Sequence, residues 1–581
     1  MTTSALVADR AEQAAAESLA AVDKCINEHR SFILEAGAGA GKTYSLIHAL
    51  RYVIGRDGFE LARKNQQIAC ITYTNAARDE IESRTDGNPV VQSSTIHSFC
   101  WSLLKRFQPE LRKELPQISK WSERLEESGE IGSRTIEYDL GYPSAKDEHV
   151  VSLAHSDVLA LMVKLLENDK FRDLLVARYP IIFVDEYQDT NRDIAEAFKN
   201  HFLVADSSLL LGFFGDHWQK IYGDGCGKIE HPLLVTIEKH ANFRSVPEVV
   251  SVLNHIRPDL PQFASSTDSS GRAVVYHTND WTGIRQTSSP WKGDLPPGDA
   301  HICLQKMMTK LKAEGWDFAP DKTKVLKLTH NGLADEQGYR QLANVFSSTD
   351  MYIRKEDGYI EFFADRLEPA SIAYENRRYG EMFEILGGRR PTIRTIDEKR
   401  QWTADMDQLL ELQASGSIGD VLDHLYSSGR PRLPAKLERR EEDFRELMIN
   451  TETERPSWFD RVEDMRTVPY SEVSALVKFI NGYTPFATKH GVKGLEFENV
   501  LVVVGKGWNN YNFNQMLEWA NSGVPTGKQD SFERSRNLFY VCSSRPKTNL
   551  AVLFTEELST DALGCLNQWF GEGNVTNFQF S

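Results

Sequence analysis

The stretch Phe32-Ile-Leu-Glu-Ala-Gly-Ala-Gly-Ala-Gly-Lys-Thr43 joins a short apolar run to a glycine-rich turn and a Lys-Thr pair. This order suits phosphate binding. Ala36, Gly37, Ala38, Gly39, Ala40 and Gly41 are small enough for backbone N–H groups to close on phosphate oxygens. Lys42 supplies a point charge to the β- and γ-phosphates, and Thr43 offers a hydroxyl to Mg²⁺. A strict phosphate loop has glycine where Ala36 stands. The loop alone therefore reads as a nucleoside triphosphate site with one irregular position.

A second constellation narrows the chemistry. Ile181-Ile-Phe-Val-Asp-Glu-Tyr-Gln-Asp-Thr190 is an apolar strand ending in adjacent carboxylates. Asp185 at the strand end can hold Mg²⁺ through water, opposite Thr43, and Glu186 can activate a water for in-line attack on a γ-phosphate. An isolated acidic strand end can equally cap a helix. Beside a phosphate loop it reads as NTP hydrolysis.

The elements that must position these residues are legible from the apolar runs. Ile68–Thr72, Ile181–Val184, Leu209–Phe214, Lys324–Leu328, Val500–Val504 and Leu550–Phe554 are near-continuous β-branched stretches separated by helical segments. That pattern predicts parallel sheets buried on both faces. The region about 108–175 is polar and helix-like, and the region about 345–468 is rich in Glu, Arg and Leu and mostly helical. The fold class is α/β: two parallel-sheet cores, each carrying a mainly helical insertion. Residues 1–107 and 176–238 form the first core around insertion 108–175; residues 239–344 and 469–581 form the second around insertion 345–468. Residues 266–297 read as a loop-rich segment with a short strand at Ala273–Tyr276.

Composition sets bounds. At 581 residues the chain is too long for one core. Seven scattered cysteines without a Cys-x-x-Cys pair argue against a zinc ribbon, iron–sulfur site or disulfide framework. A net charge of −16 argues against coating nucleic acid through bulk positive charge, but a local basic channel stays open. No apolar run reaches the length of a membrane span, and the N-terminus lacks a signal-peptide pattern, which points to the cytoplasm.

The remaining motifs resemble a known family, the superfamily 1A DNA helicases of the UvrD/Rep/PcrA type. Ala-Gly-Ala-x-Gly-Lys-Thr is that family's own loop variant, which accounts for Ala36. Ile71–Ala77 resembles motif Ia, Thr95–Phe99 motif Ib, Asp185–Asp189 the Walker B motif and Gly215–Tyr222 motif III. Asn242–Ser245 is similar to motif IV, Thr488–Phe497 to motif V and Leu538–Arg545 to motif VI. The resemblance implies two RecA-like cores (1A and 2A) with insertions 1B and 2B, and ATP with Mg²⁺ as cofactors. It implies that Gln219 senses the γ-phosphate, that Arg244 and Arg545 act as arginine fingers, that Phe243 stacks on adenine and that Glu496 accepts a bond from the ribose. Tyr73, Thr74, Thr95, His97, Tyr222, Thr488 and His490 are the implied contacts to single-stranded DNA or a 3′-tailed duplex.

Departures from the family pattern are specific. Asp224 stands where a base-stacking tryptophan is usual, so another aromatic, with Trp218 nearby, would have to serve. Tyr44 replaces the arginine that follows the loop and could stack on the base. Gln13 is the nearest candidate for reading the adenine edge. Both insertions look short, and the chain ends soon after motif VI, leaving no room for a C-terminal nuclease. The reading is an ATP-dependent DNA helicase moving 3′→5′, in DNA repair or anti-phage defence. The alternative is a DNA-end-sensing, DNA-stimulated ATPase that regulates a partner nuclease, as in Gabija-type anti-phage systems, where compact helicases of this kind occur beside OLD-family nucleases.

Overall fold

The computed structural model describes residues 3–138, 144–145, 147, 149–205, 207–221, 223–266, 270–328, 330–353, 355–387, 393–449, 455–456, 458–487, 494–506 and 511–580. Two six-stranded sheets dominate the described residues, and their strand pairs are parallel throughout. The first holds β1 (Phe32–Ala36), β2 (Ile68–Thr72), β3 (Val91–Thr95), β6 (Ile181–Asp185), β7 (Leu210–Gly215) and β8 (Val235–Lys239), in the order β3-β2-β6-β7-β1-β8. Between β3 and β6 lie helices and a small parallel pair, β4 (Thr135–Tyr138) with β5 (Val150–Leu153).

A short pair, β9 (Ala241–Asn242) with β10 (Phe263–Ala264), leads into the second sheet. That sheet contains β11 (Arg272–His277), β12 (Thr323–Lys327), β13 (Phe486–Ala487), β14 (Phe497–Val504), β15 (Pro546–Phe554) and β16 (Val575–Asn577), ordered β13-β12-β14-β15-β11-β16. Among the described residues, every element from Thr349 to Thr467 is helical. The α/β class with two RecA-like cores stands.

The strand runs are apolar because both faces are covered. All residues of β1, β2, β6 and β7 are buried. In β1, Phe32, Leu34 and Ala36 face the cluster that includes Leu46, Leu50 and Val53 of helix α2 (Lys42–Arg63), following α1 (Thr3–Asn27). Ile33 faces the opposite cluster with Ile182, Val184 and Phe213. Packing is tight at the centre: a Cβ at Gly212 would lie 2.7 Å from the Phe183 ring and 2.8 Å from the Phe32 ring, so β7 needs glycine there.

The strand order does the positioning. β7 separates the loop strand β1 from the acidic strand β6. The carboxyl ends of β1, β2, β3, β6 and β7 therefore share one edge of the first sheet, where open α/β sheets bind ligands. The second core presents the opposite ends of its strands, since Glu496 directly precedes β14 and Arg545 directly precedes β15. The Phe497 N–H donates to the Arg545 carbonyl at 3.1 Å, tying these two strand starts together.

Candidate functional site

The phosphate loop turns through two left-handed glycines, Gly39 and Gly41, both at φ 75°. The second core closes on its outer side. Asn242 Nδ2 donates to the Ala38 carbonyl at 3.0 Å, and the Phe243 N–H donates to the Gly39 carbonyl at 2.8 Å. The Tyr540 hydroxyl accepts from the Ala38 N–H at 3.2 Å. A Cβ at Gly39 would fall 2.7 Å from Asn242 Oδ1, and one at Gly37 would fall 2.7 Å from Gln262 Nε2. Small residues here thus admit the second core as well as a phosphate.

Across the sheet edge, Asp185 ends β6 and is buried. Burial, and then Glu186, push its carboxyl up to about 7 against the pull of Lys42. A buried carboxylate crowded by a second one, within electrostatic reach of Lys42, fits a divalent cation, whose charge would return Asp185 to its ionised form. Thr43 and Asp185 are the residues that would hold it. Glu186 adopts a left-handed backbone, φ 47° and ψ 47°, rare for a non-glycine residue and a form of strain found at functional sites. Its Oε2 accepts from Gln188 Nε2 at 2.5 Å.

The implied arginines come from the second core into this field. Arg545 is buried, and its guanidinium donates to Gln219 Oε1 at 3.0 Å, the Val541 carbonyl at 2.8 Å and Ser544 Oγ at 3.1 Å. All three partners are neutral. Burial, reinforced by Arg244, brings its pKa down to about 10, with Glu186 opposing. Arg244 pairs with Glu496 at 3.1 Å and donates to the Ser544 carbonyl at 2.9 Å. Burial raises the Glu496 carboxyl, but its bonds to Lys547 and Arg244 outweigh that and hold it low.

Gln219 is also bound on its other side. Its Nε2 donates to Asp216 Oδ2 at 2.8 Å, and Asp216 Oδ1 pairs with Arg257 of the second core at 2.5 Å. Arg257 is buried, reaches Glu35 at 3.7 Å and lies over the Trp218 and Tyr540 rings. Tyr187 donates to Glu35, and His217 lies 3.2 Å from it. Two arginines of the second core thus bracket Asp216 and Gln219 of the first. Arg257, Glu35, Tyr540, Asn242's side chain and Gln262 escaped the sequence reading. No local motif marks Arg257, because its partners Asp216 and Glu35 lie in the other core, or Gln262, which bonds to Ala241, Asn242 and Asn254 of its own core and meets the first core at Gly37.

Of the residues implied for the base, Phe243 and Tyr44 are exposed aromatics, 47% and 58% accessible. Gln13 is exposed and its amide donates to Glu17 on the same helix. Trp218 cannot replace the missing stacking tryptophan. It is buried between the cores, with Arg536 3.5 Å over its ring and Tyr540 edge-on at 5.7 Å.

The DNA candidates that the structure describes cluster at the ends of β2 and β3. Thr72 pairs with Thr95 in register, so Tyr73, Thr74, Thr95 and His97 share one sheet edge. Tyr73 is partly exposed. Thr74 Oγ1 caps helix α3 (Asn75–Arg84), accepting from the Ala77 N–H, and Thr95 Oγ1 caps helix α4 (Ile96–Leu104), accepting from the Ser98 N–H. His97 packs edge-on against His155 at 4.6 Å; burial and His155 bring its pKa to about 4, with Asp224 opposing. His97 is therefore neutral at neutral pH. Tyr222, Thr488 and His490 lie outside the described residues. Among the described residues, no helix is long and apolar enough to cross a membrane.

Comparison with known proteins agrees with the ordered motifs. Residues 18–224 match the family model described as an AAA domain. The chain is similar to Gabija protein GajB of Bacillus cereus, 24% identical over 96% of this chain and 97% of that one. It is also similar to the ATP-dependent DNA helicases PcrA of Staphylococcus epidermidis and Staphylococcus aureus, each 26% identical. Those two matches cover 42% of this chain and 41% of the PcrA chains.

Proposed function

We propose, from the premise that this is a UvrD/PcrA-like superfamily 1 chain of Gabija type, that it hydrolyses ATP with Mg²⁺ between its cores and moves 3′→5′ on single-stranded DNA. The observation that carries this reading is the bond from Arg545 to Gln219. It joins an arginine of the second core, paired to no carboxylate among the described residues, to Gln219 at the end of the short helix His217–Gln219 that comes after the first core's strand β7.

In this reading Lys42 and the loop amides hold the β- and γ-phosphates, while Thr43 and Asp185 hold the cation. Mg²⁺ would neutralise phosphate charge during transfer. Glu186 takes the proton of the water that attacks the γ-phosphorus as ADP leaves. Arg545 and Arg244 neutralise the charge that develops, Arg244 exchanging Glu496 for phosphate. Phe243 and Tyr44 stack on the base. Gln219 then reports the γ-phosphate to β7 and, through Asp216, to Arg257. Closing and opening of the cores shift the DNA edge formed by Tyr73, Thr74, Thr95 and His97.

A second reading is a DNA-end-sensing ATPase that regulates a partner nuclease of the OLD family without processive unwinding. Asp224 favours it, because a carboxylate within electrostatic reach of His97 repels the DNA phosphates that a stacking residue would help to grip. Strand displacement on 3′-tailed and 5′-tailed duplexes separates the two. Displacement on the 3′-tailed substrate alone supports the motor. DNA-stimulated hydrolysis with no displacement on either would leave the sensor, and no hydrolysis with any DNA would sink both.

A further inference from the structure

Lys239 ends the edge strand β8, in register beside Ala36 of β1. Its side chain is 1% exposed, and its ammonium donates to Ser45 Oγ at 2.8 Å. No carboxylate pairs with it among the described residues. A lysine buried against a neutral hydroxyl is costly unless an opposite charge arrives. Its surroundings sharpen that cost, since burial and the nearby Lys42 bring its pKa down to about 8.

The ammonium faces the nucleotide side of the cleft. A Cβ at Gly41 would lie 3.9 Å from Nζ, which places it at the mouth of the loop where α2 begins. Nζ also sits 5.8 Å from the Tyr44 ring centre and 5.9 Å from that of Phe243. These are the two exposed aromatics that would flank a base. A cation between the base-stacking rings and the start of α2 meets the phosphate joined to the nucleoside, whereas Lys42 serves the distal ones.

We propose that Lys239 is a second phosphate-binding lysine, which donates to the α-phosphate of the bound nucleotide. The inference rests on the nucleotide reading of the cleft and adds a residue that the phosphate-loop motif does not contain. Its uncompensated charge is then balanced on loading, so that ATP and ADP both gain from it and the identity of the base does not matter.

The test is equilibrium binding of ATP, GTP and ADP to the full chain and to Lys239→Met, with a circular dichroism spectrum to establish folding. Loss of one charge-assisted hydrogen bond predicts about 10- to 100-fold weaker binding, by the same factor for all three nucleotides. Unchanged binding of ATP and ADP would make Lys239 a strut between β8 and α2 and overturn the inference while leaving the nucleotide reading intact. Weakening of ATP without GTP would assign it to the base and overturn it equally. Should the variant not fold, the two α-thio diastereomers of ADP are compared on the unaltered chain. A several-fold difference between them supports the contact, and equal binding overturns it. An unaltered chain that binds neither ATP nor ADP would sink the nucleotide reading together with this inference.

Discussion

Arg545 Nη2 lies 3.0 Å from Gln219 Oε1, so residues 326 positions apart in sequence share a buried hydrogen bond across the two cores. The pair is neutral on one side and cationic on the other, and Asp216 holds the far end of the same glutamine. A change at Gln219 is therefore felt by Arg545, and the two act as one unit. Gln219→Ala and Arg545→Ala should each reduce DNA-stimulated hydrolysis by about 10²- to 10³-fold, the range for losing a preorganised charge-stabilising contact. The double variant should be little worse than either, so the interaction energy should approach the loss in one single variant, about 3–4 kcal/mol. Steady-state hydrolysis on single-stranded DNA measures it, and strictly additive losses would mean the bond has no part in coupling.

Glu186 and Lys42 should separate chemistry from binding. Glu186→Gln keeps size and hydrogen bonding to Gln188 but cannot take a proton, so turnover should fall about 10²- to 10⁴-fold while ATP still binds. Lys42→Ala should remove hydrolysis outright and weaken ATP itself. Single-turnover hydrolysis with a parallel binding titration distinguishes the two. Near-normal turnover in Glu186→Gln would move the base to another residue.

Thr95 caps a helix, and one substitution tests whether its hydroxyl also meets DNA. Its hydroxyl oxygen caps α4 and its proton points to Ser98 Oγ at 3.0 Å. Thr95→Val should cost about 1 kcal/mol of stability through the lost cap. If the same hydroxyl also meets a DNA phosphate, single-stranded DNA affinity falls several-fold. The slope of affinity against salt stays unchanged, because a neutral hydroxyl releases no counterion. Thr95→Ser should restore both. Unaltered DNA binding in Thr95→Val would leave the residue a helix cap and nothing more.

How far the sequence carried these conclusions depends on whether the signal was local. The strand runs at Ile68–Thr72 and Ile181–Val184 coincide with β2 and β6, because a strand buried on both faces must be apolar at every position. The loop and the acidic strand end were legible because a motif packs its chemistry into neighbouring residues. Lys239 was not, since Glu238-Lys239-His240 looks like any solvated charge run until β8 lies beside β1. Arg257 was hidden in the same way at the end of the helix Pro247–Ile256, where its partners Asp216 and Glu35 belong to the other core. Trp218 misled in the opposite sense. Its neighbourhood suggested a free stacking ring, and the contact between cores buries it.

Arg257 carries the last prediction, on stability and its pH dependence. Its guanidinium is enclosed with Asp216 at 2.5 Å, and Asp216 is fully buried. Burial opposes ionisation of Asp216, but Arg257, Lys42 and the Gln219 amide outweigh it and hold the carboxyl below its ordinary range. A carboxyl lowered in the folded state contributes stability above its unfolded pKa of about 3.9, and loses it as pH falls through the folded value. The contribution is therefore fully present at pH 7 and disappears in acid. Arg257→Met removes the partner and leaves a buried, unpaired carboxylate, which should cost about 3–5 kcal/mol at pH 7. Acid then protonates the stranded carboxyl and shrinks the deficit, so the melting temperatures of the two proteins should converge as pH is lowered. Arg257→Met with Asp216→Asn should recover part of the loss at pH 7, because an amide is far less costly to bury than a lone carboxylate. Melting curves of the two variants and the unaltered chain from pH 7 down to pH 4 check this. A gap that stayed constant with pH would show that Arg257 stabilises the interface by packing on Trp218 and Tyr540 rather than by its charge.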